Sequence, residues 1–343
     1  MSRRVRVAVL AGGRSSEHAI SVASARSVID ALDPERYETT AIAIGRDGRW
    51  ELASAEARQS LSSADGEDSI QTLPVLADSK PAEALGAVDV ALPILHGPFG
   101  EDGTVQGLLE LAAVPYVGAG VAASAVCMDK DLFKAILRDR GIPVARNVTL
   151  REGDPPLHPF GYPVFVKPAR LGSSVGISKA HDEGELATAV ALARRHDDKV
   201  LIEEFVPGTE VECGVLGNRD PVASVVGEIV AHAEWYDYSA KYDEGGMELV
   251  IPARISPQAD QRVRDLAVES FVATECEGMA RIDLFVRPDG EVVVNEINTI
   301  PGFTATSVYA KLFEASGIPY ADLLDRLIEL ALERYERRSR LEF

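Results

Sequence analysis

The sequence predicts an α/β protein in three lobes, with an open parallel sheet at the N-terminal end and a strand-rich, α+β C-terminal part. Three observations carry this. Apolar strand-like runs alternate with helical patterns up to about residue 121, as a parallel sheet requires. From about residue 211 strand patterns dominate. The chain has 343 residues, and at roughly 150 residues per domain that length divides into two or three units.

Val5–Leu10 is the first strand candidate and runs into Gly12-Gly13. The segment SSEHAISVASARSVIDAL then opens on a serine cap and continues as a helix. Tyr37–Ile44 and Val88–Leu95 read as further apolar strands. Residues 46–85 are polar and irregular and receive no assignment. Val114–Val117 is another short strand, and Ala123–Arg140 a helix stopped by Gly141. In the middle of the chain, strands at Val164–Lys167 and Val200–Phe205 flank a glycine-serine loop and an alanine-rich helix, Glu183–His196. Val211–Leu216 and Val222–Ile229 follow as strands, then a hairpin from Met279 to Asn298. The last segment, Ala321–Arg337, places Leu323, Leu324, Leu327, Ile328 and Ala331 on one helical stripe. No repeat or low-complexity tract interrupts this order.

Composition narrows the function. At 46% hydrophobic and 26% charged the chain has ample material for a core. A net charge of −19 argues against nucleic acid or an anionic membrane as partner, since both would be repelled. An anionic substrate would need its own cluster of Lys and Arg. Cys127, Cys213 and Cys276 are far apart and in no Cys-x-x-Cys spacing, so they read as buried free thiols of a reducing compartment rather than as metal or redox groups. The basic, then apolar N-terminus has too short an apolar part for a signal peptide. The longest weakly apolar stretch, residues 112–128, is broken by Pro115, Gly118, Gly120 and Ser124, which excludes a membrane span there. A soluble, cytoplasmic protein is expected.

Two facing constellations carry the chemistry. In ARIDLFV, Arg281 and Asp283 lie two apart and share a strand face; Glu296 and Asn298 do the same in EVVVNEIN. An even-numbered loop such as Pro288-Asp289 pairs position 283 with 294 and 281 with 296, and puts all four on one face. A three-residue loop puts the two sets on opposite faces. Oxygens of Asp, Glu and Asn gathered on one face suit a hard cation such as Mg²⁺; the alternative is an ordinary solvated strand face, against which the intervening Ile and Val residues argue. NTIPGFTATS, residues 298–307, follows as a candidate substrate loop.

KPARLGSSVG supplies the complementary charge. The phosphate motif G-x-x-x-x-G-K-[ST] is absent from the chain. Lys167 nonetheless ends a strand, and Gly172, Ser173, Ser174 and Gly176 can direct N–H groups and hydroxyls at an anion. Lys130 and Lys241 are further phosphate candidates. The strand end Glu203 to Val206 could present backbone groups and a carboxylate to a ring such as adenine. Gly118-Ala-Gly120 imitates a dinucleotide fingerprint, but its acidic partner would be Asp139, inside a helix rather than at a strand end. LHGPFGEDG ends a strand with a histidine and a glycine-acid turn. WYDYSAKYDEGG has the composition of a lid that excludes water.

These segments together resemble the D-alanine–D-alanine ligases of the ATP-grasp superfamily. The likeness runs from Val7 to about Leu332 and rests on eight segments in order: GGRSSEHAIS, LHGPFGEDGTVQG, MDK, KPARLGSSVG, LIEEFVPGTE, YDYSAKY, ARIDLF and NEINTIPGFTATS. The resemblance implies a three-lobed ATP-grasp architecture: a substrate lobe at 1–121, a central lobe with the glycine-serine loop at 122–210, and a C-terminal lobe with metal site and lid at 211–343. It implies that Lys130, Lys167 and Lys241 contact ATP phosphates under Ser173 and Ser174. Glu203, Val206 and Glu210 would address adenine and ribose. Asp283, Glu296 and Asn298 would hold two Mg²⁺ ions, or Mn²⁺ in their place. Glu17 would take the first D-alanine's ammonium and form a triad with Ser173 and Tyr242. His96 would help to place that substrate, Arg281 and the Gly302 N–H would stabilise an oxyanion, and Ser307 with Val308 would receive the second D-alanine. Tyr242 favours an amine acceptor over the hydroxyl acceptor of the related depsipeptide ligases. Val308 stands where a longer aliphatic residue is frequent, and Thr306 where some members have histidine; both bear on the acceptor pocket. A homodimer is also implied.

Overall fold

The computed structural model describes residues 3–52, 85–86, 88–231 and 247–342. Strand β1 (Val5–Gly12) is central in the first sheet and pairs in parallel with β2 (Tyr37–Ile44) and β4 (Val90–Pro93), while the short β3 (Trp50–Leu52) adds antiparallel to the outer edge of β2. Val7, Ala8, Val9 and Leu10 are all fully buried, because a parallel sheet is covered on both faces. Val7 and Val9 pack with Ala25 and Val28 of α1 (His18–Ala31); Ala8 and Leu10 pack with Val105 and Leu109 of α2 (Thr104–Leu111). Two expectations are corrected here. The N-cap of α1 is Glu17, with no side-chain cap bond, rather than a serine; the Ser15 hydroxyl instead donates to the His96 carbonyl at 2.7 Å. Residues 114–117 form no strand, only a single bridge between Ala91 and Tyr116.

The helix expected over 123–140 is two helices, α3 (Val121–Met128) and α4 (Lys130–Asp139). Asp129 separates them in an extended conformation, and its carboxylate caps α4 by accepting from the N–H groups of Asp131 and Leu132, each at 3.2 Å. The stronger local signal is the cap, which ends one helix to start another. The central sheet is antiparallel in the order β5 (Asn147–Leu150), β8 (Val200–Glu204), β6 (Val164–Pro168), β7 (Ser178–Ala180). Helix α5 (Glu183–Ala193) covers one face, its N-terminus capped by Asp182.

The third sheet has five antiparallel strands in the order β11 (Met247–Val250), β10 (Val222–Ala231), β9 (Thr209–Gly217), β12 (Gly278–Val286), β13 (Val292–Asn298). Val211, Cys213 and Val215 of β9 pack on α6 (Pro257–Ala273), which starts at a Ser256 cap followed by proline. The alternate face receives α7 (Val308–Ala315), with Tyr309 and Phe313 against the bare backbone of Gly214. The stripe expected near the C-terminus lies on α8 (Tyr320–Ser339); Leu323, Leu324, Leu327, Ile328 and Ala331 are all buried and share a core with Val7, Val9 and Val28 of the first sheet. One apolar core therefore ties the N-terminal sheet to the C-terminal one.

The hairpin register corrects the sequence reading. Val286 pairs with Val292, and the Arg287 N–H donates to the Glu291 carbonyl at 2.8 Å, so three residues form the loop. Uninterrupted, that register would turn Glu296 and Asn298 away from Asp283. A bulge at Asn295 restores them: Leu284 pairs with Val294, but Asp283 pairs with Glu296 and Arg281 with Asn298. One extra residue in β13 thus puts the four polar groups on one face, a common use of bulges beside sites.

Glycine is obligatory where β8 hands over to β9. Gly208 has φ +155°, and a Cβ there would lie 2.3 Å from the Val286 carbonyl oxygen. Gly153 also has positive φ but nothing within 4 Å. Gly208→Ala should therefore lower the unfolding free energy by about 2 kcal/mol or more and Gly153→Ala by about 1 kcal/mol, measured by urea denaturation.

Candidate active site

A cavity of about 450 Å³ lies where the N-terminal lobe, the glycine-serine loop and the third sheet meet, with Glu17, His96, Ser173, Arg281, Glu296 and Gly302 in its wall. On its third-sheet side, Arg281 grips Asp283 with two hydrogen bonds of 2.7 Å and lies 3.0 Å from Glu212. Asn298 donates to Asp283 at 3.1 Å. Burial opposes the charge on Arg281, yet Asp283 and Glu212 outweigh it and hold the guanidinium protonated.

The lysines come from the opposite side. Lys130 donates to the Leu171 carbonyl at 2.8 Å and lies 3.3 Å from Glu296. Lys167 sits 2.6 Å from Glu203 and donates to Asn295, the bulge residue, at 3.3 Å. Lys134, wholly buried, takes the other oxygen of Glu203 at 2.9 Å. Burial alone would raise the Glu203 carboxyl; Lys134 and Lys167 reverse that and hold it at about 2. Lys134 is pushed below its ordinary value by burial, which outweighs the pull of Glu203. The Glu203 carboxylate is therefore occupied by two lysines.

Ser173 and Ser174 both adopt left-handed backbone, φ 52° and 57°, a conformation that non-glycine residues hold only when their surroundings impose it. Part of that imposition is visible: the Ser173 hydroxyl donates to Glu17. Gly176 is the loop's obligatory glycine, since a Cβ would meet His196 at 2.7 Å and Pro168 at 2.9 Å. His96 Nδ1 lies 2.9 Å from the Ile300 carbonyl, so it carries the proton. Nε2 is buried with no hydrogen-bond partner among the described residues. Burial opposes charge on this ring, but Glu101 and Glu17 raise it above its ordinary 6.5.

The loop after β13 is pinned to α1. Phe303 N–H donates to Ser24 at 3.3 Å and Ala305 N–H to Ser27 at 3.0 Å. Ser307 accepts from the Thr304 N–H at 2.9 Å and shares a 2.8 Å bond with the Thr304 hydroxyl.

The matching family descriptions are "D-ala D-ala ligase N-terminus" over residues 6–119 and "D-ala D-ala ligase C-terminus" over residues 136–329. The chain belongs to the D-alanine–D-alanine ligase family. D-alanine–D-alanine ligase A of Chromobacterium violaceum is 47% identical to it, with 96% of each chain covered. Among solved structures, the D-alanine–D-alanine ligase of Coxiella burnetii is similar with a TM-score of 0.87 and 38% identity, covering 98% of this chain and 97% of the other. The Bacillus anthracis ligase complexed with ATP is similar with a TM-score of 0.76 and 29% identity, covering 97% and 99%. The fold is the three-sheet ATP-grasp arrangement of that family.

As a member of this ligase family the chain brings most of its expected site residues to one place. Glu17, His96, Ser173, Arg281, Glu296, Asn298, Gly302, Ser307 and Val308 line the cavity; Lys130 and Asp283 adjoin it through Glu296 and Arg281. Lys167, Glu203 and Val206 lie deeper: Lys167 and Glu203 are paired with each other, and Val206 is packed with Ala145 and Val293. Glu210, on β9, is close enough to Lys167 to raise its affinity for a proton. Lys241 and Tyr242 lie outside the described residues. At the imitation fingerprint, buried Arg334 donates to the carbonyls of Tyr116 and Gly118 and ties this turn to α8.

The donor set fits a hard cation. No cluster of three His, Cys, Asp or Glu able to hold a metal occurs among the described residues; two carboxylates and an amide oxygen on one face leave several positions that phosphate oxygens would fill, the usual manner of Mg²⁺. The sequence reading missed Lys134, Glu101, Glu212 and Asn295. Glu212 carried a signal, being an acid at strand period after Glu210 on an apolar strand. Lys134 carried none, since a lysine one turn after Lys130 reads as solvent-facing.

Two outcomes follow from the buried triad. Lys134→Met should lower the unfolding free energy by about 3 kcal/mol, and adding Glu203→Gln should recover part of it. Because Glu203 is held at about 2 against 4.5, its contribution is complete above pH 4.5 and is lost as pH falls from there. Glu203→Gln should therefore flatten the acid limb of the stability–pH curve below that point.

Proposed function

We propose that this chain joins two D-alanines into D-alanyl-D-alanine with cleavage of ATP to ADP and phosphate, a step in making peptidoglycan precursors in the cytoplasm. The observation that carries it is the convergence of Lys130, Arg281, Asp283, Glu296 and the Glu17–Ser173 contact around one cavity. ATP would lie between the central and C-terminal lobes, with residues 122–210 as one jaw, 211–343 as the other and 1–121 supplying the donor's contacts. Glu203, Val206 and Glu210 would border adenine and ribose, with Lys130, Lys167, Lys241, Ser173 and Ser174 at the phosphates.

Glu17 holds the first D-alanine's ammonium, and His96 Nε2 offers a buried partner beside it. The donor carboxylate attacks the γ-phosphorus; the new C–O–P bond forms as the bond to the β-phosphate oxygen breaks and ADP departs. Like charges must meet in this step, so lysines and Arg281 neutralise them. Mg²⁺ held by Asp283, Glu296 and Asn298 would add its charge at the phosphate oxygens. The second D-alanine, its amine deprotonated, attacks the acyl carbon of the resulting acyl phosphate. Arg281 and the Gly302 N–H stabilise the tetrahedral oxyanion, and collapse expels phosphate. Ser307 and Val308 border this acceptor, Tyr242 would close over it, and the active form would be a homodimer.

Incubation with D-alanine, ATP and Mg²⁺ should give D-alanyl-D-alanine by mass, with one ADP and one phosphate per dipeptide. Added D-lactate should not accelerate phosphate release; acceleration with lactate alone would favour a depsipeptide ligase. Glu296→Ala should retain the fold by circular dichroism and lose about a hundredfold or more in turnover.

A further inference from the structure

We infer that Lys311 binds the carboxylate of the acceptor amino acid and makes a free carboxylate a requirement for the second substrate. The inference rests on the ligase reading above and goes beyond it.

A dipeptide formed in the cavity keeps two charges, an ammonium on its first residue and a carboxylate on its second. Glu17 answers the first. The second must be answered by a cation, because the wall also carries Glu101, Glu212 and Glu296, and a carboxylate without a partner among such groups is strongly disfavoured. Three described basic groups line the cavity: His96, Arg281 and Lys311. His96 sits beside Glu101 and Glu17, at the ammonium end. Arg281 is committed to Asp283 and Glu212 at the centre of the site. Lys311 has no carboxylate partner among the described residues, and it lines the cavity from α7, four residues after Ser307.

Placement agrees with charge. Lys311 is four residues after Ser307, its N–H bonded to the Ser307 carbonyl at 3.0 Å. Residues at i and i+4 share a helical face, and helical side chains lean toward the N-terminus. The ammonium therefore reaches back over Ser307 and Val308, where the acceptor is placed. Lysine's long flexible stem and three donors suit an exposed rim position. D-Lactate carries the same carboxylate, so Lys311 does not distinguish amine from hydroxyl acceptors; it distinguishes acids from their neutral derivatives.

D-Alaninamide has no carboxylate to phosphorylate and can enter only as acceptor, giving a dipeptide amide of distinct mass. With D-alanine as donor, kcat/KM is measured for D-alanine and D-alaninamide as acceptors in the wild type, Lys311→Met and Lys311→Arg. Expected is a loss of about tenfold or more for D-alanine in Lys311→Met, in the acceptor KM. The amide rate should stay unchanged, and Lys311→Arg should recover most of the loss. Equal losses with both acceptors, or no loss with either, would overturn the inference. A wild-type protein that forms no dipeptide at all would overturn the ligase reading and the inference with it.

Discussion

Charge pairing of buried lysines, within the central lobe at Glu203 and from it to Asn295 and Glu296 of the third sheet, is the constraint on which the site depends. Lys130, Lys134 and Lys167 reach from α4 and β6; Glu203, Asn295 and Glu296 receive them. A buried ammonium without a partner costs several kcal/mol, so none of the three could be held in place alone. Lys199 extends the pattern, fixing Asp129 at 2.6 Å and with it the cap that starts α4 at Lys130. The groups that hold this part of the fold are thus the ones the proposed chemistry would use. Under the function proposed above, a phosphate arriving at Lys130 would compete with Glu296 for it. The proposed metal would bring positive charge to the same carboxylate face, so metal and nucleotide would enter together.

Backbone devices set the other distances. The Asn295 bulge turns Glu296 and Asn298 onto the face of Asp283 and offers its own amide oxygen to Lys167. Left-handed Ser173 and Ser174 carry the loop toward Glu17. Hydroxyls of Ser24 and Ser27 hold the 298–307 loop against α1, so the N-terminal lobe positions a wall of a cavity whose floor belongs to the third sheet. Each device is local, yet each joins two lobes.

The sequence carried the elements with strong periodicity: the α8 stripe, β1, β2 and the hairpin strands are where their patterns place them. It also carried the acids and lysines of the site, because polar residues on otherwise apolar strands stand out. What it hid depended on tertiary context. The bulge follows from a conflict between loop length and burial that no local pattern reveals. Asp129 looked like a helical residue until its carboxylate was seen capping the next helix. Lys134 finds its partner only in three dimensions, where β8 brings Glu203 to it. Helices α6 and α7 went unassigned although Ser256-Pro257 is a sound start signal for the first. Short strands such as β7 and β11 have too few residues to show a period.

Calorimetric titration of the wild type with ATP, in the presence and absence of Mg²⁺, tests this charge pairing most directly. The account predicts that removing the metal weakens ATP binding about tenfold or more, because the phosphates would then meet the carboxylate face of Glu296 and Asp283 without the cation's charge between them. Equal affinity with and without Mg²⁺ would contradict it.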